Sequence, residues 1–488
     1  MVVGRLALAL VFAGTASTAW GEIAQPKVFD IKNYGAIGDG VAMDTTAVQQ
    51  AIDACHQAGG GIVRVPPGDF QIGTIWLKSN VTLSLDQGAC LLGSRDIADY
   101  PVKGLDDPRE GGPHCLIYAK DATNITIEGL GVIDGRGTPE FFPRIRTQGR
   151  ETSIRPRLLR MVNCENLTFS GVTYRRPAFW GLHLIDCKDI HFNAVTVRFR
   201  NNNYNNDGMD LDGCENVLIE NCDIDSGDDA ICLKSSLNPC RNIVVRNCRV
   251  SSNTAAFKCG TSSRGGFLDV TVRNCYFYNC PMGAIKLQVV DGGRMENIDI
   301  SRIVMEDVGS PLFIRLGDRG RTFTRKTSES RGRDVEPEDV PVGTLQRVRV
   351  SHVVAKVTLE DFAETSRAAY RNLTPREPEW WAERQRAQAG PIMITGIPGH
   401  CVEDVELKDI MISFPGGGTT DDARREVPED IARYPEQFFF GVLPAWGAYL
   451  RHARNIVFEN VELSTRKPDA RQRIVLDDVV GFQERGRK

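Results

Sequence analysis

Short runs of alternating apolar and polar residues fill most of the chain, and one phrase recurs within them: Asn or Asp followed by Ile, Leu or Val. Copies of this phrase lie at Asn124-Ile125, Asn166-Leu167, Asp189-Ile190, Asn216-Val217, Asn242-Ile243, Asp269-Val270, Asn297-Ile298, Asp404-Val405 and Asn455-Ile456. From residue 167 to residue 298 the copies follow one another at about 23 to 28 residues, a period typical of solenoid folds. No helical pattern lies inside the repeats, and the leucines that leucine-rich repeats need at fixed offsets are missing. The pattern therefore predicts an all-β fold, a right-handed parallel β-helix that forms a single domain over residues 22–488.

A helical pattern precedes the repeats. Asp44 is placed to cap a helix at its N-terminus, and the run Gly59-Gly60-Gly61 is placed to end it. The apolar positions between them have the i, i+3, i+4, i+7 spacing of an amphipathic helix: Val48, Ala51, Ile52 and Cys55. Because a solenoid needs its ends covered, we expect this helix to cap the first coil.

The repeat spacing roughly doubles in the last third of the chain, which predicts two long insertions. One covers residues 318–340 and is rich in charge. The other covers residues 360–388 and is partly helical, with Trp380 and Trp381. Insertions in solenoids tend to emerge on the binding face, but simple surface decoration explains them equally well.

The first 21 residues have the pattern of an export signal. Arg5 precedes an apolar run from Leu6 to Ala13, and small residues lead to Ala19-Trp20-Gly21. An ordinary buried N-terminal segment is the alternative, but domain-like sequence begins only near Lys27. We expect cleavage after Gly21 and a secreted or periplasmic protein. No other apolar run is long enough for a membrane span.

The charge composition of the chain restricts the kinds of partner that the protein is expected to bind. The formal net charge is -4, and Lys and Arg form no single basic tract, so we expect neither nucleic acid nor a membrane as partner. We expect the protein to be a monomer.

The 14 cysteines would suit a disulfide framework in an exported protein. Two sets recur at repeat intervals, however: Cys187, Cys214 and Cys240, and Cys222, Cys248 and Cys275. This recurrence favours a buried ladder of free thiols with at most one or two disulfides. The cysteines form no paired C-x-x-C motif and the seven His are scattered, so we expect no metal site and no cofactor.

Candidate chemistry is concentrated on two neighbouring repeats. One begins with Asn205-Asn206-Asp207-Gly208, and the next begins with Gly227-Asp228-Asp229, which places Asp229 one repeat after Asp207. Residues one period apart lie one above the other in a solenoid, so the three carboxylates should meet and at least one pKa should rise. Hydrolysis of a glycosidic bond needs such a protonated acid beside an ionised base. Turn residues and a Ca²⁺ site are the two alternatives.

These motifs resemble those of glycoside hydrolase family 28, the polygalacturonase family of pectinase-like β-helices. The similar phrases are the opening from Phe29 to Gly40, the two aspartate motifs, Ile285-Lys286, and the run from Leu443 to His452. The resemblance implies single-displacement, inverting hydrolysis of pectin. It implies Asp228 as general acid, with Asp207 and Asp229 holding and deprotonating the water. Asn205, in the same motif, is predicted to contact the substrate.

Two lysines are further candidates for substrate binding. Lys258 and Lys286 lie about one repeat apart, each between two apolar residues, so strand alternation sends both to the outer face. They would bind the carboxylate of a uronic acid or simply balance the charge of the aspartates. Arg264 and Arg315 are candidates for the same cleft.

The chain departs from the family pattern at two positions. Ala255 stands where polygalacturonases carry the His of a Gly-His-Gly motif, and Ala284 stands where they carry the Arg of Arg-Ile-Lys. We therefore expect an acidic pectic polysaccharide as substrate, cleaved at a rhamnogalacturonan or modified galacturonan linkage. The alternatives are a polygalacturonase acting on homogalacturonan, a Ca²⁺-dependent pectate lyase, and a non-catalytic glycan-binding β-helix.

Overall fold

A computed structural model describes residues 26–102, 113–147, 150–151, 153–200, 203–321, 340–358 and 378–486. Nearly all of its strands pair in parallel into one continuous structure of 33 strands, so the predicted parallel β-helix is confirmed. The strands stack into three ladders, which we call A, B and C. A separate antiparallel pair joins Arg146–Thr147 to Arg150–Glu151.

Ladder A begins with the strands Val28–Asp30, Gly61–Val65, Val81–Leu85, Thr123–Gly129, Glu165–Ser170, Lys188–Asn193, Glu215–Glu220 and Cys240–Arg246. Ladder B begins with Asp39–Met43, Gly68–Ile72, Ala89–Gly93, Val132–Asp134, Thr173–Arg175, Thr196–Arg198, Asp223–Ser226 and Arg249–Ser252. Four long strands then run through both of these ladders: Phe267–Cys280, Arg294–Val308, Thr344–Val357 and Val402–Phe414. The last strands are Ala445–Thr465, Gln472–Val480 and Gln483–Arg485.

Ladder C carries the candidate site. Its strands are Ile75–Trp76, Cys115–Lys120, Arg157–Val162, Leu182–Ile185, Met209–Asp212, Ile231–Ser235, Phe257–Ser263, Ile285–Val289, Leu312–Leu316 and Ile392–Thr395, followed by the start of Ala445–Thr465 and by Gln472–Val480. Every second side chain of these strands points into the core, and the alternate side chains form the outer face on which the site is built.

The recurring phrase sets the register of ladder A. Leu167, Ile190, Val217 and Ile243 lie directly above one another in the core. The Asn or Asp that precedes each apolar residue adopts the left-handed backbone conformation, with a φ of 53° at Asp189 and 54° at Asn242, which these two residue types tolerate better than most. These side chains bond to one another, since the Asn242 amide donates to Asn216 Oδ1 at 2.9 Å. One short sequence phrase therefore supplies both the core contact and the turn.

The predicted helical cap is present as α1, Thr45–Gln57, whose apolar face is buried against the first coil. Asp44 occupies the N-cap position, but its side chain makes no capping hydrogen bond. Its carboxylate instead accepts from the amides of Ile37 and Gly38 at 2.7 and 3.1 Å. The position was predicted correctly and the capping contact was wrong, because the preceding loop supplies nearer donors.

All 14 cysteines are free thiols, and 13 of them are buried, with Cys401 half-buried. The predicted ladder of buried thiols is therefore confirmed. The register of ladder B places Cys222, Cys248 and Cys275 one above another. At this point of each coil the thiol acts as a small apolar side chain of the core.

The two predicted insertions lie largely outside the described residues. Only the end of the second is described, as helix α2, Pro378–Gln388, and most of residues 318–340 lies outside, as does the predicted export signal at residues 1–21. No helix among the described residues has the length and apolar character needed to cross a lipid bilayer.

A third excursion was not predicted. Residues 415–444 leave the solenoid between Val402–Phe414 and Ala445–Thr465, and they contain the short helix α3, Thr420–Ala423, and a 3-10 helix, Gln437–Phe440. Two other 3-10 helices lie at Ile31–Tyr34 and Ile97–Asp99. We call residues 415–444 the covering segment, because it packs over the outer face of ladder C.

Candidate active site

Three aspartates come together where two neighbouring strands of ladder C begin. Asp207 lies just before Met209–Asp212, and Asp228 and Asp229 lie just before Ile231–Ser235. The parallel register stacks these two strands. One oxygen of each carboxylate consequently lies within 4.8 Å of the other two. The prediction that the three side chains meet on one face is confirmed.

Hydroxyl groups fix the turn that carries the adjacent pair. Ser226 and Ser252 donate to the carbonyl oxygen of Asp228 at 2.5 and 2.6 Å. Thr254 Oγ1 lies 2.8 Å from Asp229 Oδ1 and 3.2 Å from Asp228 Oδ1. The Asp229 amide donates to Asp228 Oδ1 at 3.0 Å. These contacts hold two carboxyl groups together that would repel each other if both were ionised.

Asn205 lies beside the same pair. Its side-chain amide donates to Asp228 Oδ2 at 3.4 Å, and its Oδ1 accepts from Arg155 at 3.1 Å. This position lets Asn205 orient the Asp228 carboxyl. Its contact with substrate stays a prediction.

Lys258 determines which carboxyl is charged. Its side chain is 2% exposed, and its Nζ lies 2.8 Å from Asp229 Oδ2. Burial opposes ionisation of Asp229, but Lys258, Lys286 and Lys234 outweigh burial and lower its pKa to about 2. Burial and the charge of Asp229 raise the pKa of Asp228. The pair therefore combines an ionised carboxylate with a neighbour that keeps its proton to higher pH, as acid–base cleavage requires.

The third carboxyl, Asp207, has a different environment. Burial, followed by the charges of Asp210 and Asp228, raises its pKa well above its usual range. Its Oδ1 is buried and has no hydrogen-bond partner among the residues that the structure describes. This oxygen is therefore free to accept a hydrogen bond from a water molecule or a sugar hydroxyl.

The three carboxylates are also close enough to bind one cation. The ammonium of Lys258 already lies 2.8 Å from Asp229, and Lys286 and Lys234 add positive charge to the same carboxyl. A divalent cation would meet this charge at close range. The surroundings of Asp229 therefore favour proton transfer over cation binding.

Both predicted lysines are on the outer face, as strand alternation required. Lys258 and Lys286 are direct neighbours in the parallel register, but the covering segment buries them. Lys286 is 1% exposed, and its Nζ lies 2.5 Å from a carboxylate oxygen of Glu436. Lys258 lies 3.9 Å from the other oxygen of Glu436. These pairings favour the charge-balance alternative over direct binding of a uronate.

The two predicted arginines have different positions. Arg315 is 1% exposed and donates to the carbonyl oxygens of Glu429 and Asp430 at 2.9 and 3.1 Å, and to that of Gly396 at 3.0 Å. We therefore assign Arg315 a structural role, anchoring the covering segment, in place of the predicted substrate contact. Arg264 is half-buried in the turn after Phe257–Ser263, and its contact with substrate stays a prediction.

Sequence reasoning missed two residues of ladder C that carried a signal. Asp210 alternates with apolar neighbours and therefore belongs on the outer face; it is fully buried and lies 3.3 Å from Lys234. Burial, partly offset by Lys234, raises the pKa of Asp210 to about 7. Lys234 also lies 4.3 Å from the centre of the Trp180 ring. The spacing of the strand would have found both residues.

Two further residues carried no such signal. Tyr434 and Glu436 belong to the covering segment, which has no periodic pattern. The Tyr434 hydroxyl lies 3.4 Å from Lys258 Nζ, and Glu436 is 5% exposed. Their place beside the lysines is set by tertiary contacts alone.

Comparison with known proteins agrees with this geometry. The family model of glycosyl hydrolases family 28 matches residues 55–352. An exo-poly-alpha-D-galacturonosidase of Dickeya chrysanthemi is 32% identical over 255 residues, which cover 43% of this chain and 42% of the relative. A probable polygalacturonase of Vitis vinifera is 29% identical over 56% of this chain and 60% of its own length. These matches thus span less than two thirds of either relative.

The fold has solved counterparts. The family 28 exopolygalacturonase of Yersinia enterocolitica superposes with a TM-score of 0.68 at 20% identity, covering 95% of this chain and 79% of its own. That likeness concerns the fold, whereas the family model spans both aspartate motifs and more than half of the sequence. The chain belongs to family 28 of the glycosyl hydrolases.

Proposed function

We propose that this glycoside hydrolase cleaves a pectic polysaccharide, with Asp228 as the general acid and Asp229 as the base that activates the water. Asp207, whose raised pKa favours its protonated form, helps to hold that water. The observation that carries the proposal is the division of charge within the cluster. Asp229 is held ionised by Lys258, while burial and the charge of Asp229 raise the pKa of Asp228. A protonated carboxyl can donate its proton to the leaving oxygen, so that no negative charge develops there. An ionised carboxylate can accept a proton from the attacking water.

The contacts of Asp229 hold its carboxylate in a fixed orientation. Thr254 engages Asp229 Oδ1 and Lys258 engages Asp229 Oδ2, and each oxygen keeps a lone pair that can accept a hydrogen bond from water. A carboxylate held in this way is suited to orienting a water molecule. The buried, unpartnered oxygen of Asp207 offers that water a second acceptor.

The stereochemistry of the proposed cleavage has a direct test. Inverting enzymes usually separate their two carboxyl groups by roughly 6.5–9.5 Å. The nearest oxygens of the three aspartates lie within 4.8 Å, because consecutive coils of the solenoid stack closely. Proton NMR of the first-formed product tests the stereochemistry directly: the anomer opposite to that of the cleaved linkage supports inversion, and the same anomer refutes it.

The site also supports a neutral sugar beside the scissile bond. Ala255 and Ala284 provide neither of the two cationic groups that the family pattern has at these positions. The remaining cation of that pattern, Lys286, is paired with Glu436 at 2.5 Å. A uronate carboxylate bound there would lack a charged partner worth about 1.5–3 kcal/mol, whereas a rhamnose would lose nothing.

Homogalacturonan is the second candidate substrate, favoured by the names of the Dickeya and Vitis relatives. The deciding experiment compares kcat/KM on homogalacturonan and rhamnogalacturonan oligosaccharides of equal length. We expect the rhamnogalacturonan linkage to be preferred by about one to two decades. A clear preference for homogalacturonan would refute the neutral-sugar proposal. Products that absorb in the ultraviolet would indicate a lyase, and the absence of any product would indicate a non-catalytic protein.

We also propose that the protein acts outside the cytoplasm. The support is the pattern of residues 1–21 and the size of a pectic polymer, which would be met outside the cell. N-terminal sequencing of the protein from its producing cell tests this: a mature chain beginning at Glu22 is expected, and an intact Met1 refutes it.

A further inference from the structure

The carboxylate of Glu436 lies next to the catalytic aspartates although it comes from outside the solenoid repeats. Glu436 is separated in sequence by 150 residues from Lys286, its nearest cationic partner. It reaches the outer face of ladder C because the covering segment crosses Phe257–Ser263 and Ile285–Val289. Glu436 also lies outside residues 55–352, the range that the family model matches.

Several buried hydrogen bonds hold the covering segment in this place. Gln288 donates to the carbonyl oxygen of Pro435 at 2.8 Å, next to Glu436. Gln437, on its other side, donates to the carbonyl oxygen of Pro391 at 2.9 Å. Arg315 holds the segment further upstream, as described above. Hydrogen bonds to the residues on both sides of Glu436 therefore hold this part of the segment against ladder C.

Glu436 is coupled to the catalytic base by a shared cation. Lys258 Nζ lies 2.8 Å from Asp229 Oδ2 and 3.9 Å from Glu436 Oε1, so these two carboxylate oxygens are separated by no more than the sum of those distances. Lys286 completes the set at 2.5 Å from Glu436 Oε2. The result is a buried group of two anions and two cations whose charges alternate. A salt bridge between Glu436 and Lys286 alone would be enough for a purely stabilising role. The additional proximity of Glu436 to Lys258 connects it to Asp229.

We propose that Glu436 is a positioning residue of the hydrolytic reaction, which acts through Lys258 and Lys286 to set the protonation of Asp229 and Asp228 and hence the pH range of catalysis. The inference rests on the proposed roles of these two aspartates. Without Glu436, two buried ammonium groups would face Asp229 with one carboxylate to balance them. Both aspartates would then hold their protons less tightly, and Asp228 would lose its proton at a lower pH.

The charged and titratable groups around Asp229 come from several elements. Those that face it from its own turn, from the neighbouring coils and from the covering segment are Asp207, Asp210, Asp228, Cys232, Lys234, Lys258, Lys286, Tyr434 and Glu436. Glu436 and Lys286 are the pair that contact each other at the outer edge of this group. Changing them alters the charge of the group without removing a proposed acid or base.

The test uses two single variants of opposite sign and their combination. Glu436→Gln removes a negative charge and should move both limbs of the pH profile of kcat/KM to lower pH. Lys286→Met removes a positive charge and should move both limbs to higher pH. At an effective dielectric constant of about 20, a unit charge about 6 Å away shifts a pKa by about two units, so we expect shifts of about one to two pH units. The double variant restores the net charge and should return the profile toward that of the wild type.

Glu429→Gln is the matched control. Glu429 lies on the same segment, but its carboxylate is half-exposed and pairs with Arg451 at 3.2 Å, so its loss should leave the profile in place. A second readout needs no substrate: carbon-13 NMR titration of the aspartate carboxyls, with signals assigned from Asp228→Asn and Asp229→Asn. Both readouts should show the same opposing shifts in the two single variants.

The inference would be overturned if neither single variant shifted the pH profile or if both shifted it in the same direction. Shifts equal to those of the Glu429→Gln control would overturn it as well. The outcome is separate from that of the proposed specificity. If the titrations shift as expected but homogalacturonan is preferred, the role of Glu436 stands and the neutral-sugar proposal fails. If no pectic oligosaccharide is cleaved, the NMR titration still decides whether Glu436 controls the aspartates.

Discussion

Replacing Lys258 with methionine tests whether the ion pair beneath the site is as important as its geometry implies. The pKa of Asp229 is lowered from 3.8 to about 2, which corresponds to about 2 kcal/mol of stability at neutral pH. Because the folded-state pKa lies below the unfolded one, this stability is fully present above about pH 4 and is lost as the pH falls toward about 2.

Lys258→Met leaves a buried carboxylate without its nearest cation, and breaking a buried pair on one side costs about 3–5 kcal/mol. Burial alone raises the pKa of Asp229, so in the variant this carboxyl takes up a proton at a higher pH. The penalty should therefore be largest near pH 7 and should shrink as the pH is lowered to about 4. The same protonation removes the proposed base, so the acidic limb of the pH profile of kcat should move to higher pH in the variant.

Urea unfolding followed by tryptophan fluorescence at pH 7 and at pH 4 measures the difference. Lys188→Met is the matched control: Lys188 is 59% exposed and lies 3.8 Å from Glu215, so its loss should change the free energy of unfolding by less than about 1 kcal/mol at either pH. A Lys258→Met penalty that is below about 1 kcal/mol, or that does not depend on pH, would refute the argument.

Further substitutions test the other assignments. Asp228→Asn should lower kcat by several orders of magnitude with little change in substrate binding, because a proton donor acts mainly in the transition state; near-normal turnover would contradict its role as acid. Thiol reagent added to the denatured, unreduced protein should label nearly all 14 cysteines, and labelling that needs prior reduction would contradict the free-thiol ladder. Asn242→Ala should lower the free energy of unfolding by about 1–2 kcal/mol because alanine tolerates a positive φ poorly, and Asn242→Gly should cost less; equal losses in chemical denaturation would show that φ is not the cause.

The fold was predictable because one residue pattern repeats. Each Asn or Asp before an apolar residue marks the same turn, and the stacked residues Leu167, Ile190 and Val217 confirm that the spacing fixes the register. The aspartate cluster followed from the same spacing, since Asp207 and Asp229 lie one period apart. Periodicity is a local property that a sequence carries explicitly, so these positions needed no knowledge of distant contacts.

What the sequence left open depends on contacts between distant segments. Lys286 was placed on the outer face correctly, but its partner Glu436 lies on an aperiodic stretch that no repeat locates. Arg315 was named as a candidate for the same cleft, and it holds backbone carbonyl groups of that same stretch. In both cases the contact is made by a segment whose position the repeat does not specify.

This division separates the residues that the solenoid positions from those that the covering segment brings to the site. The positions of Asp207, Asp228 and Asp229 are determined by the parallel register of the two strands that follow them. These positions therefore depend on the stacked coils themselves. The covering segment lies outside the stacked coils and packs on ladder C through buried apolar residues such as Val427 and Phe440 and through hydrogen bonds to its backbone. A carboxylate such as Glu436, delivered by that segment, adds a negative charge beside the lysines that contact Asp229. If the role proposed for Glu436 holds, a substitution in the covering segment changes the working pH while the coils that carry the aspartates stay the same.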